Sequence, residues 1–340
     1  MNQTLNVRLI GPDPSSPGGI ETVIATLLKN SNGNIKYSNL ISWKSGTFFG
    51  VRPFLSTLWH VFLTKNKSDV TNHVHIGRRG SWFREGTIVW FSVLLRYKTV
   101  VTLHGSSLEN SSKLFLRLVS QLIGFKHLRA IVVLSPRIYS RLNKHKNLSL
   151  HLLPNPIIEY SNKYYWSSDR KYQNIIFVGK LDKRKGIELL VNVWKEISRL
   201  NDKLCLQIIG PEGNCKISTN AEQYRIFYLG ELDHETVLNY MANSLCLVLP
   251  SYQEQSPMVI WEAMNIGTPV IASRLYGIEF QLGESYPFLV KPKDEYDLKS
   301  KMELLINDKS QRKLASTLVL RESLKSNYKV LERKYISIYG

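Results

Sequence analysis

The sequence predicts two α/β domains, each built on a doubly wound parallel sheet. Three observations carry this reading. The chain has 340 residues, the length of two ordinary domains that each bury a core of their own. Short apolar runs alternate with helix-length stretches through both halves, the signature of β-α-β units. Glycine-marked loops follow several of those runs, at the strand carboxyl ends where open α/β sheets hold ligands.

The strand signals fall near residues 5–10, 37–41, 72–76, 99–103, 130–134 and 150–153 in the first half. In the second half they fall near 174–178, 204–209, 225–229, 245–249, 270–272 and 288–290. A polar, Tyr-rich linker over 156–173 separates a first domain, 1–155, from a second, 174–320. Residues 321–340 read as a helix that packs back on the first domain.

The stretch SYQEQSPMVIWEAM, residues 251–264, is the most informative. It follows Leu245–Leu249, a run apolar enough for a strand buried on both faces. Ser256 followed by Pro257 predicts a helix start, with Ser at the N-cap and Pro at the first helical position. Gly267 ends that helix, and Thr268-Pro269 prevents its continuation. Glu254 then lies in a ligand-facing loop, and Glu262 one turn beyond Met258. Helical side chains lean toward the N-terminus, so Glu262 points back toward whatever the helix start binds. A helix start attracts phosphate, and a carboxylate beside it suits a ribose diol. Spacing alone fits equally well a loop acid followed by a solvated helix acid.

Other segments have similar placement. Gly179-Lys-Leu-Asp-Lys-Arg-Lys-Gly186 is a basic, glycine-bounded loop after the strand 175–178. Lys180, Lys185 and a helix N-terminus together supply roughly +2.5 charges, close to the charge of a nucleotide diphosphate. A lysine-rich loop by itself is more often a solvated turn. Gly18-Gly19 permits close backbone approach between a strand and a helix. His104 follows the strand 99–103, and as a lone histidine it fits a structural role as well. His73 and His75 share one strand face without a nearby carboxylate, so no metal site is expected there.

Composition narrows the class. A hydrophobic content of 43% and an aromatic content of 11% belong to a globular chain. The three cysteines form no CxxC pair, which suits a reducing compartment. No signal peptide is legible, and the longest apolar run, Ile88–Leu95, is far short of the roughly 20 residues a membrane span needs. The expectation is a cytoplasmic chain.

Charge is unevenly shared. Residues 1–150 hold 20 Lys and Arg against 5 Asp and Glu, a net +15, and the remaining 190 hold 25 against 22, a net +3. Phe48, Phe49, Phe54, Trp59, Phe62, Trp82, Phe83, Trp90 and Phe91 are interleaved with the basic residues. Their helical spacing places most of them in the core, with some left for an anionic membrane interface. No nucleic-acid-binding motif accompanies the charge, so nucleic acid is not expected as a partner.

The chain resembles a family-4 glycosyltransferase of the GT-B fold (glycosyl transferases group 1) over nearly its whole length. The residues that carry the resemblance are Gly18-Gly19-Ile-Glu21, Thr102-Leu-His104-Gly105, Phe177-Val-Gly-Lys-Leu181 with Lys185-Gly186, and Glu254 with Glu262. Ala263-Met264 and Gly267-Thr-Pro-Val-Ile271 continue it. The paired glutamates are specific; the glycine and histidine motifs are weak individually. Lys180 stands where the family commonly has Arg, a point charge in place of a bidentate fork. Asn155-Pro156 replaces a common Asn-Gly.

The resemblance implies two Rossmann-like domains facing a central cleft and a retaining, metal-independent hexosyltransferase. Its donor is a nucleotide-diphosphate sugar, expected to be a UDP-sugar. The matching positions give Glu262 the ribose, Glu254 the donor sugar, and Lys180 and Lys185 the diphosphate. The amides of Met258 and Val259 complete the phosphate site. The backbone of Gly18 and Gly19 approaches the donor from the first domain, and His104 lies beside the transferred sugar. No cofactor is implied, and the absence of Asp-x-Asp from the sequence fits that. The expected acceptor is a glycan or lipid-linked glycan in bacterial polysaccharide, lipopolysaccharide or capsule biosynthesis. The chain would work as a peripheral protein on the inner membrane face. The alternatives are a nucleotide-sugar epimerase of the same fold and a basic, non-catalytic binding protein.

Overall fold

The structure is a computed structural model that describes residues 4–44, 51–64, 67–77, 80–105, 126–143, 149–160, 163–172, 174–216 and 222–340. Phe48 and Phe49 lie outside the described residues. The chain divides into two compact units, one of residues 1–158 with 326–340 and one of residues 159–325.

The first unit is built on a six-stranded parallel sheet. Its strands are β1 (Leu5–Pro12), β2 (Ile35–Trp43), β3 (Val70–Ile76), β4 (Lys98–Leu103), β5 (Leu128–Val133) and β6 (Leu150–Leu152). They lie in the order β2-β1-β3-β4-β5-β6. The order reverses between β1 and β3, which makes their carboxyl ends the place where a ligand crevice opens. Described helices of this unit are α1 (Gly19–Lys29), α2 (Val51–Leu63), α3 (Gly80–Leu94) and α4 (Pro136–Leu142).

Strand β3, Val-Thr-Asn-His-Val-His-Ile, is unusually polar for a central strand that is almost wholly buried. A buried polar group costs free energy unless it finds a partner; Asn72, His73 and His75 each have at least one, while Asn72 Oδ1 and His75 Nε2 are buried without one. Asn72 donates to Ser92 Oγ at 3.1 Å. His73 places Nδ1 2.8 Å from the Tyr339 hydroxyl and Nε2 2.7 Å from the Thr102 hydroxyl. His75 meets His104 at 3.0 Å.

Tyr339 belongs to the last helix of the chain, Tyr328–Tyr339, which lies in this unit. The side chain of Asn327 accepts from the Lys329 N–H and caps its start. Tyr328, Tyr335 and Tyr339 fall on its buried face, with Tyr328 and Tyr339 edge-on to Tyr37 of β2. Residues 321–323 close the preceding helix in the other unit, so the returning helix starts later than residue 321.

The aromatic residues of α2 and α3 overturn one expectation. Trp59, Phe62, Phe83 and Trp90 are exposed, and Phe54, Trp82 and Phe91 are half-buried. None is fully buried. Helical spacing shows that a face is apolar but not what covers it. Here Thr57 and Val61 of α2, and Ile88, Val89 and Val93 of α3, turn to the sheet instead.

The second unit carries strands β7 (Asn174–Val178), β8 (Cys205–Ile209), β9 (Ile226–Gly230), β10 (Leu247–Leu249), β11 (Val270–Ser273) and β12 (Leu289–Val290). Their order is β12-β11-β10-β7-β8-β9, all parallel, with the switch point between β7 and β10. Its helices are α5 (Ile187–Leu200), α6 (His234–Ala242), α7 (Met258–Ile266), α8 (Tyr276–Leu282), α9 (Glu295–Asn307) and α10 (Lys309–Ser323). The returning helix Tyr328–Tyr339 is α11. The central strands coincide with apolar runs because both of their faces are covered by helices, while the edge strand β9 leaves Phe227 and Tyr228 exposed.

Tyr339→Phe removes the hydroxyl that meets His73 and leaves a fully buried ring nitrogen without that partner. It should cost about 1–3 kcal/mol of stability in chemical denaturation. An unchanged midpoint would show that the bond contributes nothing.

Candidate functional site: two loops at a sheet switch point

In the second unit, the loop after β7 (Gly179–Gly186) and the loop after β10 (Pro250–Pro257) leave neighbouring strands on either side of the switch point. Two glycines fix their approach. Gly186 adopts a left-handed conformation (φ 72°), and a Cβ on it would lie 2.0 Å from the Pro250 carbonyl oxygen. Gly277, in the first turn of α8, would place a Cβ 1.6 Å from the Gln255 carbonyl oxygen. No side chain fits either position, so the backbones touch.

A half-buried ion cluster ties the two loops. Glu254 Oε1 accepts from Arg184 Nη1 at 2.7 Å and from Lys185 Nζ at 2.6 Å. Arg184 also donates to the Gln253 carbonyl at 2.8 Å. Burial works to raise the Glu254 pKa, but the charges and hydrogen bonds of Lys185 and Arg184 outweigh it and hold the carboxyl below its ordinary value. The Asp182 carboxylate accepts from the Arg184 N–H at 3.0 Å and shapes the short turn that presents both cations. Lys180 is exposed at the start of the same loop.

Helix α7 starts one residue later than the sequence predicts. Pro257 is its N-cap, and Ser256 is not. The Ser256 hydroxyl instead accepts from the indole N–H of buried Trp261 at 2.9 Å. The N-cap Pro257 offers no side-chain oxygen, so among the described residues no N-cap side chain occupies the first-turn N–H groups, those of Met258 and Val259 included. The Gln281 side chain fixes this start by donating to the Pro257 carbonyl at 3.1 Å. Gly267 closes the helix in the left-handed conformation, as the sequence predicts. Among the described residues, Ser251 Oγ and both amide atoms of Gln255 are buried without a hydrogen-bond partner.

Glu262 is buried one turn into α7. Its Oε1 lies 3.1 Å from Nε2 of His234, the first residue of α6. Tyr160 stands edge-on to His234, and burial followed by the Glu262 charge pushes its phenol well above the ordinary value. Glu254, Lys185, Glu262, Met258 and Val259 are thus assembled on two adjacent strand ends. Sequence reasoning missed Arg184, His234, Tyr160 and Gln255. Arg184 and Gln255 had a signal, since each lies in a stretch already singled out.

The remaining expected residues lie in the first unit. Gly18 precedes α1 directly after the β1 loop, and Gly19 is the helix's first residue. The Glu21 carboxylate folds back against Gly18. Burial raises its pKa, opposed by the N–H groups of Glu21 and Ile20. His104 follows β4, and its Nε2 is 3.0 Å from Nδ1 of His75. Burial holds the His104 imidazole down to about 3, so it is neutral at physiological pH.

With this geometry in place, comparison with known proteins is informative. Residues 162–317 match the family described as glycosyl transferases group 1. That match falls within the second unit. The putative teichuronic acid biosynthesis glycosyltransferase TuaC of Bacillus subtilis is 31% identical over 118 residues, 35% of this chain and 29% of that protein. The N,N'-diacetylbacillosaminyl-diphospho-undecaprenol alpha-1,3-N-acetylgalactosaminyltransferase of Campylobacter jejuni is 22% identical over 169 residues, 48% of this chain and 44% of that protein. The chain spans less than half the length of these curated relatives.

Among solved structures, Anabaena HepE in complex with UDP-glucose aligns with a TM-score of 0.71 at 15% identity, covering 98% of both chains. Sucrose-phosphate synthase from Thermosynechococcus elongatus aligns with a TM-score of 0.71 at 18% identity and 98% coverage of both. The chain therefore has the GT-B fold.

Gly186→Ala tests the joint between the loops. A left-handed Ala costs about 1–2 kcal/mol, and the Pro250 carbonyl must also move. Chemical denaturation should show at least that loss, and hydrogen exchange should quicken in residues 250–257. Wild-type stability and exchange would show that the two loops are not pressed together.

Proposed function

We propose that the chain is a retaining, family-4 glycosyltransferase that moves a hexosyl group from a nucleotide-diphosphate sugar, a UDP-sugar, to a glycan or lipid-linked glycan acceptor in bacterial surface polysaccharide biosynthesis. The observation that supports it most is the Glu254 cluster beside the uncapped start of α7, with Glu262 one turn inside. The arrangement offers cations, open N–H groups and a carboxylate within one unit of a group 1 glycosyltransferase family.

In this reading, Lys180 and Lys185 meet the diphosphate, and the amide N–H groups of Met258 and Val259 donate to its remaining oxygens. Glu262 takes the ribose hydroxyls, and His234 shares that carboxylate. Glu254 meets the donor sugar, ionised because Arg184 and Lys185 keep it so. The neutral His104 has one ring nitrogen engaged by His75 and offers the other to a sugar hydroxyl. The backbone at Gly18 and Gly19 admits the donor closely. In the transfer, the bond from anomeric carbon to phosphate oxygen breaks and the acceptor oxygen bonds to the same face. The acceptor proton passes to the departing phosphate. Fixed cations stabilise the charge that develops on the leaving diphosphate, the work a divalent metal does elsewhere, so no metal is required. The charge of +15 on residues 1–150 favours a peripheral position on an anionic, inner membrane face.

Transfer assays with a panel of UDP-sugars test this reading. Glu262→Ala should chiefly raise KM for the donor, and Glu254→Ala should chiefly lower kcat. Wild-type transfer should survive EDTA. Wild-type kinetics in both variants would remove the site assignment, and loss of activity in EDTA restored by magnesium or manganese would remove the metal-free mechanism. Epimerised donor formed without acceptor would favour the epimerase.

A further inference from the structure

The outer faces of α2 and α3 form a surface that the donor site does not use. On α2, Val51, Leu55, Trp59, Phe62 and Leu63 recur at helical spacing and are all exposed. On α3, Phe83, Trp90 and Leu94 do the same, with Phe83 84% and Trp90 54% exposed. The two stripes meet: the Trp59 and Phe62 rings stack at 6.1 Å between centroids, and Phe62 stacks on Phe91 of α3 at 6.4 Å. Between them lies an open groove of about 660 Å³ lined by Leu55, Ser56, Leu58, Trp59, Phe62 and Phe91. Soluble chains rarely leave so many large apolar side chains contiguous in water, and such patches mark interaction surfaces.

We infer that this face lies in the headgroup and upper acyl region of an anionic bilayer, with Trp59, Phe62, Phe83 and Trp90 as anchors. Helix α2 contains no acidic residue, and the single carboxylate of α3, Glu85, is buried against Ser42 and Arg84. Arg52 is exposed on α2 beside the aromatic stripe. An apolar face with no acidic side chain exposed, set in a half of the chain with net charge +15, complements anionic lipid. Tryptophan and phenylalanine suit that boundary because their flat rings tolerate the headgroup layer. The groove is open enough to take an acyl chain. No described helix is long and apolar enough to cross a membrane, so contact through this face is parallel to the surface. A second copy of the chain fits less well, because a face-to-face pair would bring two +15 halves together.

The inference rests on the anionic-surface reading above, and vesicle sedimentation separates the two. The full chain should bind phosphatidylglycerol–phosphatidylcholine vesicles more strongly than pure phosphatidylcholine vesicles, with a blue shift in tryptophan emission. A Trp59→Ser, Phe62→Ser, Trp90→Ser variant should lose roughly a thousandfold in partitioning while keeping its circular dichroism and nucleotide binding, since each withdrawn ring removes about a decade. Undiminished binding by that variant would overturn the face assignment and leave the charge reading standing. No binding of the wild type to either vesicle would overturn both. A dimer in sedimentation velocity that the variant dissolves, without vesicle binding, would assign the face to a second copy.

Discussion

The contact between Glu254 and the pair Arg184 and Lys185 is the constraint on which the second unit's working end depends. It joins the loops of two neighbouring strands at the point where the sheet reverses its order. A buried ion pair is weak evidence for stability, since desolvation offsets much of the attraction, while removing one partner costs about 3–5 kcal/mol. Apolar residues of similar volume would hold the loops as well. What they would not supply is a cluster of fixed charge beside the uncapped start of α7, and that is the reason to read the pair as part of a binding site. Gly186 and Gly277 serve the same end from the backbone side, because a side chain at either would push the loop of Glu254 away.

The first unit shows a parallel arrangement built from neutral groups. Its central strand carries His73 and His75 with ring centroids 4.3 Å apart, and burial lowers the pKa of both. Neutral imidazoles can each donate and accept once, so a run from Tyr339 through His73 to Thr102, beside the pair His75 and His104, satisfies both His73 nitrogens and His75 Nδ1 without burying charge, and leaves His75 Nε2 unpaired. The last helix therefore does more than cover apolar surface. It closes a polar strand that would otherwise be costly to bury.

Much of this was legible in the sequence. Most described strands coincide with an apolar run, because strands covered on both faces leave no polar alternation to obscure them; β2 and β3 carry polar residues as well. The polar β3 was readable from its neighbours and the β-branched residues within it. The start of α7 was displaced by one residue because Ser256 had a second use, accepting from Trp261, that no local rule reveals. Arg184 and His234 escaped notice for a related reason. Their partners, Glu254 and Glu262, lie 70 and 28 residues away, and only the sheet order brings them together. The aromatic residues of α2 and α3 were read as core because periodicity cannot distinguish a face turned to the sheet from one turned outward.

The account stands or falls on whether Glu254 holds Lys185 in place for the donor diphosphate. A double-mutant cycle measures this by calorimetric titration of UDP into the wild type, Lys185→Met, Glu254→Gln and the double variant. The account predicts that Lys185→Met weakens UDP binding and that its effect changes in the Glu254→Gln background, a coupling of about 0.5–3 kcal/mol. Additive effects, or UDP affinity unaltered by Lys185→Met, would contradict it.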